Sequence, residues 1–307
     1  MSPISRLIVV SLCITFGLVN AARAELHVAV SIPPQAYFVE TIGGAHVDVQ
    51  VMVPANAEPV TYEPTARQMS ALSRATLYFA TGVPFEKAWL PRFRNANPAM
   101  TVIDTNDRIQ RRAMASHDGH AHGEPDTPKQ AALDPHVWLS PPLVRLQAEA
   151  IRDALVAADP AHAADYHRGF RRLAGEVHAL DRDILDALTG IAPSARRFLV
   201  FHPAFGYFAA SYGLEQMAIE VEGKEPGPRE LARIIDSARE HGIRVIFIEP
   251  QFAQGAARTI AREIGGQVVT LDPLAHDWPG GMRAIADTLA ETLGGAPSKE
   301  ATPAHEH

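Results

Sequence analysis

"DYHRGFRRLAGEVHALDRDILDALTG", residues 165–190, decides how the rest of the chain is organised. Tyr166, Phe170, Leu173, Val177, Leu180, Ile184 and Leu188 recur at steps of three and four, one apolar stripe on one face of a helix. Asp159-Pro160 supplies an N-cap residue and a favoured first-turn proline, and Gly190 a C-terminal stop. A helix from Pro160 to Thr189 is ~45 Å long at 1.5 Å per residue. That is long enough to serve as a stiff strut between two lobes.

On either side of this helix the sequence alternates strand and helix. Before it, strands are expected at 26–32, 47–53, 77–81 and 101–104, with helices at Ala66–Arg74, Phe85–Asn95 and Pro141–Ala158. After it, strands are expected at 197–201, 217–221, 245–249 and 268–272, with helices at Arg229–His241, Ala256–Ile264 and Met282–Leu293. The fold class is α/β: two β/α lobes, each with a mostly parallel sheet, joined by one long rigid helix. The expected domains are an N-terminal lobe at 25–158, the linking helix at 159–190, a C-terminal lobe at 191–295 and a flexible tail at 296–307.

Residues 1–24 carry Arg6, an apolar run from Leu7 to Val19 and the small-x-small ending Ala22-Arg23-Ala24, the pattern of a cleaved secretory signal peptide. The run is shorter than the ~20 residues that span a bilayer. Cys13, the only cysteine, lies inside it, so a mature chain holds no disulfide and no cysteine metal site. The full chain has 28 basic and 35 acidic residues, and losing Arg6 and Arg23 makes it more acidic still. With no Lys/Arg-rich block, nucleic acid is not an expected partner. An exported, monomeric protein is expected.

Ligands of β/α lobes bind outside the carboxyl ends of the strands. His136 in "LDPHVWLSP", His202 directly after "RFLVF" and Asp272 closing "VVTLD" meet that description. Two imidazoles and a carboxylate suit zinc, manganese or iron(II). Taken singly, each has a plainer role as a cap, a buried polar residue or a turn opener. The segment 108–134 has no hydrophobic period and holds His117, His120 and His122; with His305 and His307 at the end of the chain, it reads as a metal-capturing or simply solvated tract. "VEGKEPGPRELARII", 221–235, reads as a surface loop leading into a helix, either a contact for a partner protein or simply a solvated face.

The blocks "YEPTARQMSALSRATLYFATG", "DPHVWLSP", "FHPAFGYFAASYGLE" and "IEPQF…IAREIGGQVVTLDPLA" resemble the cluster A-I metal-binding proteins of ABC importers, above all the periplasmic zinc-binding component of high-affinity zinc uptake. The resemblance runs from about residue 26 to 293. It implies two lobes on a rigid helix, one transition metal between them (Zn2+, with Mn2+ or Fe2+ as alternatives) and delivery to a membrane permease. Of the four metal positions it implies, three fall on His136, His202 and Asp272. At the fourth, where such proteins often carry histidine, this chain reads Pro59-Val60-Thr61-Tyr62-Glu63-Pro64, and valine has no lone pair to give. Water, Glu58, Glu63 or a histidine of the 108–134 loop is left to fill it. Two other classes stay open: an adhesin-like surface protein, as some relatives are, and a metal-dependent hydrolase, for which no His-Glu-x-x-His, Gly-x-Ser-x-Gly or phosphate-loop motif is present.

Overall fold

The computed structural model describes residues 25–114, 133–220 and 226–294. Residues 1–24, His117, His120, His122, His305 and His307 lie outside the described residues. The first lobe contains β1 (Leu26–Val30), α1 (Pro33–Gly43), β2 (Val47–Val51), α2 (Ala66–Leu72), β3 (Leu77–Ala80), α3 (Pro84–Ala96), β4 (Thr101–Asp104) and α4 (Pro141–Ala158). Then come the long helix α5 (Ala163–Leu188) and the second lobe: β5 (Arg197–Val200), α6 (Gly206–Tyr212), β6 (Glu215–Ala218), α7 (Pro228–Glu240), β7 (Val245–Ile248), α8 (Gly255–Ile264), β8 (Gln267–Thr270) and α9 (Trp278–Leu293).

Both sheets are four-stranded and parallel throughout, in the orders β2-β1-β3-β4 and β6-β5-β7-β8. The two lobes thus repeat one topology. In each, the strand order reverses beside the first strand, and the crevice there is the customary ligand position. Several strands stop one or two residues earlier than the apolar runs predict, because residues such as Phe201 stay buried after the ladder ends.

The strut begins with a single tight turn, Pro160–His162, and becomes α-helical at Ala163. Asp159 does not cap it. Its carboxylate instead takes hydrogen bonds from the His162 ring and the Tyr166 hydroxyl. The predicted stripe is otherwise buried, except that Phe170 is half-exposed beneath the Arg152 guanidinium. Gly169 completes the buried face, since a Cβ there would sit 2.2 Å from the Ile42 carbonyl oxygen of α1.

Both lobes are tied to the strut. Tyr37 on α1 donates to Glu176, Tyr212 on α6 donates to Asp181, and Arg283 on α9 pairs with Asp183. The hydrophobic core is continuous across it, uniting Phe38, Phe79 and Trp138 of the first lobe with Phe198, Phe208 and Trp278 of the second. Two indole hydrogen bonds cross between the lobes directly: Trp138 Nε1–H to the Pro273 carbonyl at 2.8 Å, and Trp278 Nε1–H to the Trp138 carbonyl at 2.9 Å. A shared core and buried cross-bonds resist hinge motion, which normally requires a separable interface.

Candidate metal centre

Each side chain of the site stands just past a structural element that fixes it. His202 follows β5 by two residues, Glu220 follows β6 by two, and Glu249 follows β7 directly. From the first lobe, Asp134 and His136 precede a tight turn at Val137–Leu139 that leads into α4. The imidazoles meet across the lobe boundary, His136 Nε2 standing 3.4 Å from His202 Nε2.

What lies behind each ring defines its chemistry. His136 Nδ1 is 2.7 Å from Asp134 Oδ1, which also accepts the His136 backbone N–H. His202 Nδ1 is 2.7 Å from Glu220 Oε2. Each Nδ1–H therefore donates to a carboxylate, and each Nε2 turns a lone pair towards the other. Two bare lone pairs facing at that distance repel unless a cation sits between them, either a proton or a metal. On a tetrahedral ion with Zn–N bonds of ~2.0–2.1 Å, two nitrogen ligands stand ~3.3 Å apart. The observed spacing matches that edge, and carboxylates behind ligating histidines are the usual orienting arrangement.

The electrostatics favour a cation. Burial holds His136 below the usual histidine range, although Asp134 pulls the other way. Burial also pulls His202 down, but its hydrogen bond to Glu220 and the negative charges of Glu249 and Glu220 outweigh it, and its pKa is raised. Glu249 is almost completely buried, neither carboxylate oxygen meets a well-formed hydrogen-bond partner among the described residues, and burial pushes it up to about 7. Three carboxyls around two imidazoles leave a surplus of negative charge that a dication would balance.

A cavity of about 50 Å³ opens onto the two rings, room for an ion and a few waters. Glu58, Val60, Met114, Trp138, Phe252 and Leu274 are among its wall residues. Trp138 packs on His136 and Phe252 on His202, with ring centroids 5.1 and 5.4 Å apart. The loop bearing Glu58 and Val60 is held by a reciprocal cap: Gln68 N–H donates to the Thr65 hydroxyl, and Thr65 N–H to the Gln68 side chain. The Gln68 amide then reaches the Met52 carbonyl at 2.7 Å, and Tyr62 donates its hydroxyl to Gln68. Val60 thus reaches the pocket its position in sequence suggests, with a side chain 56% exposed.

Asp272 stands apart. Its Oδ1 accepts the Leu274 N–H at 2.8 Å, and its side chain borders a neighbouring hollow with Leu139, Trp278 and Met282, while Pro273 and Leu274 reach the histidine pocket. Glu63 is exposed and is not among the pocket's wall residues. Among the described residues, no three His, Cys, Asp or Glu side chains stand together as a ready metal cage.

A family model described as the periplasmic component A of a zinc-uptake complex, ZnuA, matches residues 28–292. The chain belongs to this family. A crystal structure of ZnuA superposes with a TM-score of 0.80 at 40% identity, covering 88% of this chain and 99% of that one. A zinc-bound ZnuA carrying a 138–173 deletion gives 0.81 at 39%, covering 89% of this chain and 100% of that one. The high-affinity zinc uptake protein ZnuA of Bacillus subtilis is 28% identical over 85% of this chain and 82% of its own length. The fold is also shared, at 24% identity and a TM-score of 0.74, by the laminin-binding protein of Streptococcus agalactiae, covering 88% of this chain and 99% of that one. These similarities bear out the resemblance read from the sequence blocks.

Asp134, Glu220 and Glu249 were not among the residues singled out as ligands. Glu249 carried the same signal as His202, a polar residue closing a β-run in "VIFIE". Asp134, two residues before His136, fits the short local pattern in which a carboxylate binds backbone two positions on. Glu220 had no local signal, because only the pairing of β5 with β6 brings it to His202.

Proposed function

We propose that the protein captures one divalent transition metal, zinc foremost, in the periplasm after removal of residues 1–24, and delivers it to the permease of an ABC importer. The 3.4 Å approach of the two Nε2 atoms, each ring backed by a carboxylate, carries this reading. The chain's own residues do three things. Asp134 and Glu220 fix each ring with its Nε2 free to ligate. Trp138 and Phe252 wall the rings from bulk water. The surrounding carboxyls favour a doubly charged guest over the single proton that otherwise separates the lone pairs.

His136 and His202 are the proposed imidazole ligands. Asp272 is the proposed carboxylate ligand, joining the set on release of the Leu274 N–H, and Glu58 on the pocket wall is its competitor for the role. Water completes the shell at the valine position. Elemental analysis and native mass spectrometry of protein purified without an affinity tag should find one zinc per chain. Chelator competition should then show at least a hundredfold weaker binding in His136→Ala and in His202→Ala. Between Asp272→Asn and Glu58→Gln, the variant that loses affinity identifies the third ligand. Unchanged affinity in both histidine variants refutes the site.

A further inference from the structure

Asp134 orients the His136 ring, so whatever holds Asp134 bears on the metal centre. Its backbone N–H donates to the Arg112 carbonyl at 2.8 Å, and Ala113 and Leu133 form an antiparallel bridge alongside. Residues 112–113 and 133–134 therefore run as a short paired neck. The second lobe closes this neck. The Tyr207 hydroxyl, on α6, accepts the Arg112 backbone N–H at 2.8 Å and turns its own proton to the Asp134 carbonyl at 3.4 Å. Arg112, Asp134 and Tyr207 thus complete a closed ring of three hydrogen bonds between the lobes.

The rest of the contact is fitted to the same end. The Tyr207 ring packs with Ile109 and Val137 and is 3% exposed. Arg112 adds a side-chain bond to the Gly206 carbonyl at 3.4 Å. Gly206 lets α6 come up against the carboxylate, because a Cβ there would sit 3.0 Å from Asp134 Oδ2. Burial raises the Tyr207 pKa above the ordinary tyrosine value, so the hydroxyl keeps its proton and remains a donor. For packing alone a phenylalanine would serve as well. The hydroxyl is what ties both strands of the neck. Asp134 Oδ1 takes both the His136 backbone N–H and its Nδ1–H, so any movement of Asp134 swings the Nε2 that faces His202. Ligand geometry tolerates misplacement of only ~0.5 Å.

We propose that Tyr207 is a positioning residue for the metal centre: from the second lobe its hydroxyl fixes Asp134, and through Asp134 the tautomer and direction of the first-lobe ligand His136. This rests on the metal-capture reading above. The first-lobe half of the site is then set only while the two lobes are docked.

The test uses the full mature chain and chelator competition for zinc. Tyr207→Phe keeps the ring and its packing but leaves the Arg112 N–H and the Asp134 carbonyl without their partner. Binding should weaken at least ~5-fold, less than the 10–100-fold typical when the group behind a ligand is itself removed. In an Asp134→Ala background the same change should add less than a factor of two, because the hydroxyl acts through that side chain. In the zinc-loaded protein the His136 Nδ1–H proton, followed by NMR, should exchange with solvent faster in Tyr207→Phe, and that of His202 at its wild-type rate. Tyr212→Phe is the control for a purely structural effect. It deletes another buried hydroxyl of α6, bonded to Asp181 at 2.8 Å, and should lower the melting temperature with zinc affinity within twofold of wild type. Zinc binding by Tyr207→Phe within twofold of wild type overturns the assignment. So does a loss that persists in full in Asp134→Ala or is matched by Tyr212→Phe. Unchanged affinity in both His136→Ala and His202→Ala refutes the metal site itself, and the role of Tyr207 falls with it.

Discussion

Replacing Glu220 with Gln keeps the shape behind His202 and still accepts its Nδ1–H, but removes the charge 2.7 Å away. Charge-assisted hydrogen bonds are roughly twice as strong as neutral ones. Without metal, that charge stabilises the imidazolium form of His202; with metal, it stabilises a dication. Exchanging the proton for zinc therefore gains less in the variant. Loss of a partner behind a ligand typically costs 10–100-fold in affinity, ~1.4–2.7 kcal/mol. The loss should depend on pH. Because the pKa of His202 is raised, wild-type affinity should keep climbing above pH 6.5 as the competing proton leaves. In Glu220→Gln that proton leaves more readily, so the deficit is partly offset at pH 6 and fully expressed at pH 8. Competition against a chromogenic chelator at both values measures it. Asp134→Asn should also weaken binding at pH 8. If both variants bind zinc within twofold of wild type there, the two carboxylates do not set up the ligands and the reasoning fails.

With water at the valine position, Val60→His should place an imidazole at the pocket wall and tighten zinc binding at least tenfold in the same titration; unchanged affinity in both Val60→His and Glu58→Gln would exclude this loop from the metal shell. Glu86 and Glu249 are each pushed up to about 7 by burial, so each contributes stability that is complete below about pH 4.5 and lost as pH rises through about 7. His136, held low, contributes the opposite way, its stability being lost as pH falls below 6.5. Glu249→Gln, which replaces a buried carboxyl by a neutral amide, should thus raise the melting temperature of the metal-free protein at pH 8 and barely change it at pH 4.5; equal shifts at both would contradict the assignment. Trp278→Phe removes the hydrogen bond to the Trp138 carbonyl and should cost ~1–3 kcal/mol in urea unfolding. Wild type should show no contraction in small-angle scattering when zinc is added, and a large one would contradict the shared core.

The fold was legible because its signals are local. Buried parallel strands read as unbroken apolar runs, and the stripe from Tyr166 to Leu188 has helical period over many turns. Boundaries were less so: Asp159 reads as a cap but is drawn off by His162 and Tyr166. Helix α1 escaped notice because "PPQAYFVETIG" is apolar on nearly every side, with Pro33, Phe38, Val39 and Ile42 all buried, and so lacks a period. In the site, His136 and His202 stand out as isolated polar residues at the ends of apolar stretches. Glu249 closes a β-run in the same way, but its burial shows only once its surroundings are packed, and Glu220 is brought to His202 by strand pairing alone.

The indole bonds joining Trp138, Pro273 and Trp278 bear on kinetics as well as on shape. A binding protein that opens like a jaw can discard its cargo simply by relaxing. Here the two halves are riveted beside the pocket, so spontaneous loss must proceed one ligand bond at a time through a narrow mouth. Residence on the protein should be long, and throughput should be governed by whatever displaces the ion at the moment of transfer, so that the carrier behaves as a sealed canister emptied by its recipient.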